Sequence, residues 1–514
     1  MFSKIYNAEI KTDYNHADDF TRYHKDIMAE FNQSIEEGLD LEKYKSLFET
    51  ISKMENGEEK AKKSDELFML VMEASLRKDY KYNEPNEIEK IKELRKKHEF
   101  SQKDPDAETL KKKIYGAWVG RACGCLLGKP VECIRSDELI PLLKETGNYP
   151  LSRYILKTDI TDDMHSRYKF YLKNKAYADT VDGMPVDDDT NYVVLAQKIV
   201  EECGRDFSTK DVGKAWLKYQ SIYSYFTAER IAYINLINCL EPPATAICKN
   251  VCREWIGAQI RGDYFGYINP GNPEKAAEMA FNDARLSHIK NGIYGEMFVS
   301  AMIAVAAVTE KIEDIIFGGL AEIPETSRLY EAVIKIYDLY KSGASLDEVF
   351  TFVHSQYDEH TDHGWCHTIS NAMIVVAGLL YGEGDFGKSI CIAVGMAFDT
   401  DCNGATVGSI LGMRGGIDCI DDYWKKPINN KIHTSIFGVD TVDIEKAVEK
   451  TLEHIGWNYV IKIILSSNSK IFAWGCFNRC ACLFTSGYGK LFIWMDFYGN
   501  SFRANVYSGH YYAF

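Results

Sequence analysis

The sequence predicts an all-α protein, and three observations carry that expectation. Apolar residues recur at helical spacing over most of the chain, as in Val193, Ala196, Ile199 and Val200, in Ala276, Ala277, Ala280 and Ala284, and in Phe298, Ala301, Met302 and Val305. Period-two alternation is scarce between about Glu108 and Ile455. Only 12 prolines interrupt 514 residues, which suits long helices.

The chain divides by texture into three parts. Residues 1–107 are rich in Lys, Glu, Asp, Tyr and Leu and read as a helical N-terminal extension with no chemistry of its own. Phe31 to Ile35, Leu47-Phe48 and Leu67 to Leu76 carry the apolar spacing, and Lys90 to Lys97 mixes charge signs as a solvated helix does. Asp104-Pro105-Asp106 punctuates the start of the next helix. Residues 108–456 form the main helical domain. Residues 457–514 make an aromatic-rich C-terminal tail, expected to be strand-like, as in Tyr459 to Leu465 and Leu491 to Met495, or disordered.

Composition excludes several functions. A net charge of −15, from 60 basic and 75 acidic residues, argues against a nucleic-acid binder, which needs a basic face for phosphates. It also argues against an anionic membrane surface. No run of about 18 apolar residues predicts a membrane span, and the first residues hold no apolar signal core. The 14 scattered cysteines suit reduced thiols in a cytoplasm. The Cys476, Cys480, Cys482 group lacks zinc-pair spacing and reads as a reduced, partly buried cluster.

Two glycine ladders stand out. Gly116, Gly120, Gly124 and Gly128 recur every fourth residue, as do Gly404, Gly408 and Gly412. Each interior glycine costs a helix roughly 1 kcal/mol against alanine, so such runs need a reason, most simply close approach of another backbone. Lys111 to Lys113 and Arg121 rule out a membrane-dimer motif. Two glycine-faced helices therefore suggest a tightly crossed core. Pro130 ends the first helix and leaves Glu132 on a rigid turn just beyond.

Two acidic clusters supply the candidate chemistry. Asp187-Asp188-Asp189-Thr190 opens the apolar helix of Val193 to Val200, where carboxylates favour the macrodipole and can cap. Asp399-Thr400-Asp401 opens the second glycine ladder after a buried-looking segment, Ile390 to Gly395. Singly each reads as an acidic cap or loop. Together they suggest a shared site in which a hard divalent cation, Mg²⁺ first, relieves the repulsion. Between them, Gly262 to Pro273 reads as a turn-rich loop, His288 as a core histidine or a site residue, and His367 as structural. Cys402 as a nucleophile lacks an identifiable base. No P-loop, Rossmann fingerprint, nucleophile elbow or H-E-x-x-H is present.

The ordered set GAWVGRACGCLLGKPVE, VDDDTNYVVLA, DARLSHIKNGIYGE and AFDTDCNGATVGSILG resembles the ADP-ribosylglycohydrolase family, which includes the enzyme that reactivates dinitrogenase reductase. The resemblance spans about Glu108 to Ile455 and implies an orthogonal multi-helix bundle with two Mg²⁺ or Mn²⁺ ions in a central cleft. It implies metal ligands at Asp187, Asp188, Asp189, Asp399 and Asp401. Departures accompany it: Asp187 replaces a threonine ligand, Cys402 replaces a threonine, and Cys125 replaces a carboxylate. Glu132 matches an acidic residue that is a candidate for acid–base work, with Asp188 the second candidate. The implied activity is hydrolysis of the glycosidic bond of an ADP-ribosyl group on a protein or small molecule, with Tyr264, Phe265 or Tyr294 suggested for stacking on adenine. Two other readings stand beside it. A prenyl-pyrophosphate enzyme needs D-D-x-x-D, and Asn191 breaks that pattern. A non-catalytic ADP-ribose binder that keeps the fold is the other.

Overall fold

The computed structural model describes residues 11–16, 20 and 22–466 and four backbone strands within 471–507, with side chains described as far as residue 456. It is mainly α-helical. Residues 1–452 cluster as one compact unit and Glu453–Phe514 as a second.

Within the first unit, helices Ile27–Glu36, Lys45–Ser52 and Glu58–Glu73 pack around Ile27, Phe31, Phe48, Ile51, Leu67 and Val71. This core realises the apolar spacing of the N-terminal extension. The helix Ala107–Gly128, the first glycine helix below, starts where the Asp106 carboxylate accepts from Thr109 N at 2.8 Å. Two helices, Lys290–Ala306 and Thr368–Tyr381, are buried on nearly every face and lie at the centre. Their sequences are apolar all round, as a fully buried helix requires. A two-stranded antiparallel ribbon, β1 Lys431–Ile436 and β2 Val439–Asp443, is the only sheet of this unit among the described residues.

The glycine ladders decide the architecture around the site. The second glycine helix, Thr400–Gly415, runs antiparallel to the first, and the glycines meet in pairs. A Cβ at Gly120 would overlap the Gly408 carbonyl oxygen, one at Gly124 that of Gly404, and one at Gly116 that of Gly412. The two backbones are therefore in direct contact, which no residue with a side chain allows. The Thr400 hydroxyl donates to Gly128 O at 3.0 Å and latches the site end of the pair. The turn after Gly128 is thereby fixed beside Asp399 and Asp401.

In the second unit the strands Ile471–Cys476, Arg479–Ser486, Gly489–Tyr498 and Ser501–Tyr507 form an antiparallel meander. Leu491 to Met495 is a strand, as expected. Tyr459 to Leu465 is not: helix Ile444–Ser466 runs through it. A short apolar run does not distinguish strand from helix by itself. The side chains of Cys476, Cys480 and Cys482 lie outside the described residues. No described helix is long and apolar enough to cross a membrane.

Candidate metal and catalytic site

Asp187 is the N-cap of helix Asp188–Cys203, its carboxylate accepting from Asp189 N at 2.9 Å. Asp189 is the second residue of this helix and is fully buried. Arg121, projecting from the first glycine helix, holds it: Nη2 donates to Asp189 Oδ1 at 2.9 Å and Nε to Asp189 O at 2.7 Å. The same guanidinium donates to Asp263 Oδ2 at 2.7 Å and to Ile260 O at 2.7 Å. A buried fork with every arm paired thus bolts the aspartate helix to the glycine helices.

The second acidic motif is aimed by a strained turn. Ala397 and Phe398 both adopt positive φ, at 63° and 58°, just before Asp399. Such conformations in consecutive non-glycine residues persist only where surroundings enforce them. Trp365 Nε1 donates to Phe398 O at 2.7 Å, and Asp399 N donates to Asn371 Oδ1 at 3.2 Å. These bonds fix the carboxylates of Asp399 and Asp401 in the interior, 5% and 2% exposed.

The two motifs meet. Carboxylate oxygens of Asp187, Asp189 and Asp401 and the Cys125 sulfur lie within 4.8 Å of one another, as do donor atoms of Asp399, Asp401 and Cys402. Asp401 belongs to both groups. Asp188 and Glu132 join Asp399, Asp401 and Cys402 in lining a cavity of about 290 Å³. Glu132 follows the short 3₁₀ turn Lys129–Val131, as the proline predicts, with its side chain 35% exposed. Lys129, which sequence reasoning passed over, reaches into the cluster: Nζ is 2.5 Å from Asp187 Oδ2, 2.9 Å from Glu132 Oε2 and 3.7 Å from Asp401 Oδ2. Phe226, Trp365 and Glu229 also line the cavity, the last buried and paired with Arg261 at 2.5 Å.

Electrostatics here are those of crowded carboxylates. Burial, reinforced by neighbouring carboxylates, pushes the Asp188 and Asp401 carboxyls well above the usual range. Burial and then the Glu132 charge raise Asp399 to about 7. Burial likewise raises Asp189, against the pull of Arg121. Asp187 alone goes down: burial opposes ionisation, and the Lys129 ammonium overrides it.

The donor set fits a divalent cation. Asp401 Oδ1 is a buried carboxylate oxygen without a hydrogen-bond partner among the described residues, and Asp187 Oδ2 meets only the Lys129 ammonium. Buried carboxylates left so are costly, and a cation beside them removes the cost. Oxygen donors from four aspartates suit a hard ion, with the Cys125 and Cys402 thiols beside them, whereas Asp188, expected as a fifth ligand, lines the cavity and belongs to neither group.

Other sequence expectations resolve differently. Tyr264, Phe265 and Tyr294 do not face the cavity, since each is 0% exposed in the core. Tyr264 packs edge-on against Trp118, and Tyr294 Oη donates to Pro85 O at 2.5 Å. Gly262–Pro273 is not an open loop but holds the buried helix Asp263–Tyr267. His288 is a core residue bonded to Ser287 Oγ at 2.8 Å. His367 caps helix Thr368–Tyr381 and is structural. The N-terminal extension does reach the site, because Phe20 lines the cavity. Arg121, Lys129 and Glu229 carried no signal, since their partners lie far away in sequence.

The all-α bundle draws two aspartate motifs onto one cavity and so forms a buried acidic cleft able to hold a cation. The chain belongs to the ADP-ribosylglycohydrolase family, whose model matches residues 106–458. No curated protein matches the sequence.

Proposed function

We propose that the protein is a metal-dependent hydrolase that cleaves the glycosidic bond at C1″ of an ADP-ribosyl group carried by a protein or small molecule. One observation carries this reading. Two aspartate motifs more than 200 residues apart converge on one cluster of buried carboxylates, in which Asp401 keeps Oδ1 unpaired among the described residues. A structural descendant of the fold has no reason to retain that repulsion.

In this reading Asp187, Asp188, Asp189, Asp399 and Asp401 hold two Mg²⁺ ions, with Mn²⁺ as the substitute. Bound there, the ions supply Lewis acidity toward ribose hydroxyls and water. The chain's own groups do the rest. Asp188, on the cavity wall and with raised proton affinity, takes a proton from the attacking water. Glu132, at the more exposed edge, exchanges protons with the acceptor side of the bond, and Lys129 fixes its carboxylate. The carboxylates together favour the positive charge that develops at C1″ in an oxocarbenium-like transition state. Trp365 and Phe226, which also line the cavity, exclude water from it.

The test is a release assay on ADP-ribosylated arginine, serine and small-molecule substrates, with and without EDTA. Release is expected only with metal. Asp401→Asn is expected to lower it by about 100-fold or more, the scale for losing a group that acts on transition-state charge, with the fold retained. One observation favours a rival: Lys129 already neutralises part of the cluster, as a non-catalytic ADP-ribose binder would require. That reading predicts ADP-ribose binding by both proteins and release by neither.

A further inference from the structure

The two donor groups around Asp401 are unequal. The first contains Asp187, Asp189, Asp401 and Cys125, and cations of the protein already serve it: Lys129 Nζ lies 2.5 Å from Asp187, and Arg121 Nη2 lies 2.9 Å from Asp189. The second contains Asp399, Asp401 and the Cys402 thiol. Among the described residues no lysine or arginine pairs with Asp399. Asp401, 2% exposed, keeps Oδ1 without a partner. This second group also opens directly on the cavity, since Asp399, Asp401 and Cys402 all line it.

A set of two carboxylates and one thiol is a mixed hard–soft donor set. Carboxylates alone suit Mg²⁺ or Mn²⁺, whereas a sulfur ligand favours borderline ions of the zinc and ferrous class. Mg²⁺ gains nothing from sulfur. From this we infer that the Asp399–Asp401–Cys402 position is the stronger cation position and that it takes a thiophilic borderline divalent ion, with Zn²⁺ as the type, in preference to Mg²⁺. The inference rests on the proposed use of the two aspartate motifs as cation ligands, and it replaces Mg²⁺ at one of the two positions. Binding forms one metal–sulfur bond and breaks the S–H bond, and the proton leaves to solvent. Mg²⁺ binding through carboxylates alone involves no such thiol proton.

The experiment uses the full chain after chelator treatment, titrated with Mg²⁺, Zn²⁺ and Cd²⁺ separately. Cd²⁺ is the spectroscopic stand-in, because a cadmium–thiolate bond absorbs in the ultraviolet. Three readouts are followed: the charge-transfer band, proton release in weak buffer and the thermal midpoint. Wild-type protein is expected to show the band and to release one more proton with Cd²⁺ or Zn²⁺ than Cys402→Thr does. The Cys402→Thr variant should lose that increment, and its Cd²⁺ affinity should weaken by at least about tenfold, the lower end of what losing a supporting group costs a metal site. Its Mg²⁺ response should persist. The nearest competing thiols are Cys125 in the adjoining donor group and Cys133 and Cys366 on the cavity lining, so Cys125→Ser, Cys133→Ser and Cys366→Ser must each leave the Cys402-dependent difference unchanged. Identical bands and proton counts in wild type and Cys402→Thr overturn the inference, as does stabilisation by Mg²⁺ at lower concentration than Zn²⁺. The readouts separate this inference from the proposed activity. A Cys402-dependent band without ADP-ribose release under any metal removes the hydrolase reading and leaves the site. Release with Mg²⁺ and no Cys402-dependent band does the reverse.

Discussion

At the scale of residues, Arg121 shows how the site is held. It is fully buried, and its four hydrogen bonds go to Asp189, Asp263 and Ile260. The two carboxylates hold it charged against the cost of burial. Removing it strands two buried aspartates. Arg121→Met is therefore expected to cost about 3–5 kcal/mol, the range for breaking a buried pair on one side. Urea unfolding followed by far-ultraviolet circular dichroism measures this, and a loss below about 1 kcal/mol would mean that the fork carries little. The aspartates of the site were legible because they stand consecutively at a helix start, where their mutual repulsion is visible in one dimension. Arg121 was not legible, because its partners lie 68 and 142 positions along the chain. The same holds for Lys129 against Asp187. The aromatic residues were misread for a related reason: residue type does not tell that the helices Asp263–Tyr267 and Lys290–Ala306, which carry Tyr264, Phe265 and Tyr294, are buried on nearly every side.

At the scale of elements, the paired glycine helices act as a ruler. Gly116 with Gly412, Gly120 with Gly408 and Gly124 with Gly404 keep one register, and Gly128 meets Thr400 at its end. This register places the Lys129–Glu132 turn against the Asp399–Asp401 turn. The ladders, their spacing and the close crossing were readable from sequence, since only backbone contact justifies so much lost helix propensity. The antiparallel direction was not, because glycine faces lack any polarity of their own. Gly408→Ala is the sharp test. In an isolated helix it would gain roughly 1 kcal/mol of propensity. In this pair the new methyl meets the Gly120 carbonyl oxygen and forces the backbones apart. Overpacking of this kind costs about 1–3 kcal/mol beyond the propensity gain. The expected outcome is a lower denaturation midpoint together with reduced release, because the two turns separate. A midpoint equal to or above that of the wild type would show that the helices are free to shift without cost.

At the scale of the whole molecule, the boundary read at residue 107 marks a change of composition and does not coincide with a break between compact units. Arg253 pairs with Glu30 at 2.8 Å and Glu37 at 2.6 Å, and Arg328 with Glu84 at 3.0 Å and Glu254 at 2.7 Å. Glu36 faces two histidines that flank the cavity residues Trp365 and Cys366, with His363 Nε2 at 2.9 Å and His367 Nε2 at 3.5 Å. The sequence hid this junction because each partner alone looks like an ordinary surface charge. It has a pH signature. Burial lowers the His367 pKa to about 4, and Glu36 only partly opposes that shift. In the unfolded chain a histidine titrates near 6.5. Between these values the unfolded state binds the proton and the native state does not, so stability falls as pH drops from about 6.5 toward 4. The slope from this one group approaches about 1.4 kcal/mol per pH unit. Glu36 does not cancel it. Its own carboxyl is held down to about 2, where the two histidines and Arg328 outweigh burial, so its contribution is lost only at lower pH. His367→Asn keeps a helix-capping side chain while removing the titration. The difference in urea midpoint between wild type and variant should therefore shift in the variant's favour on going from pH 7 to pH 5, with titrating groups away from His367 cancelling in the comparison. A difference that stays constant across this interval would show that His367 titrates alike in the folded and unfolded chain, and a shift in favour of the wild type would show that the fold holds it protonated and that the junction holds by charge.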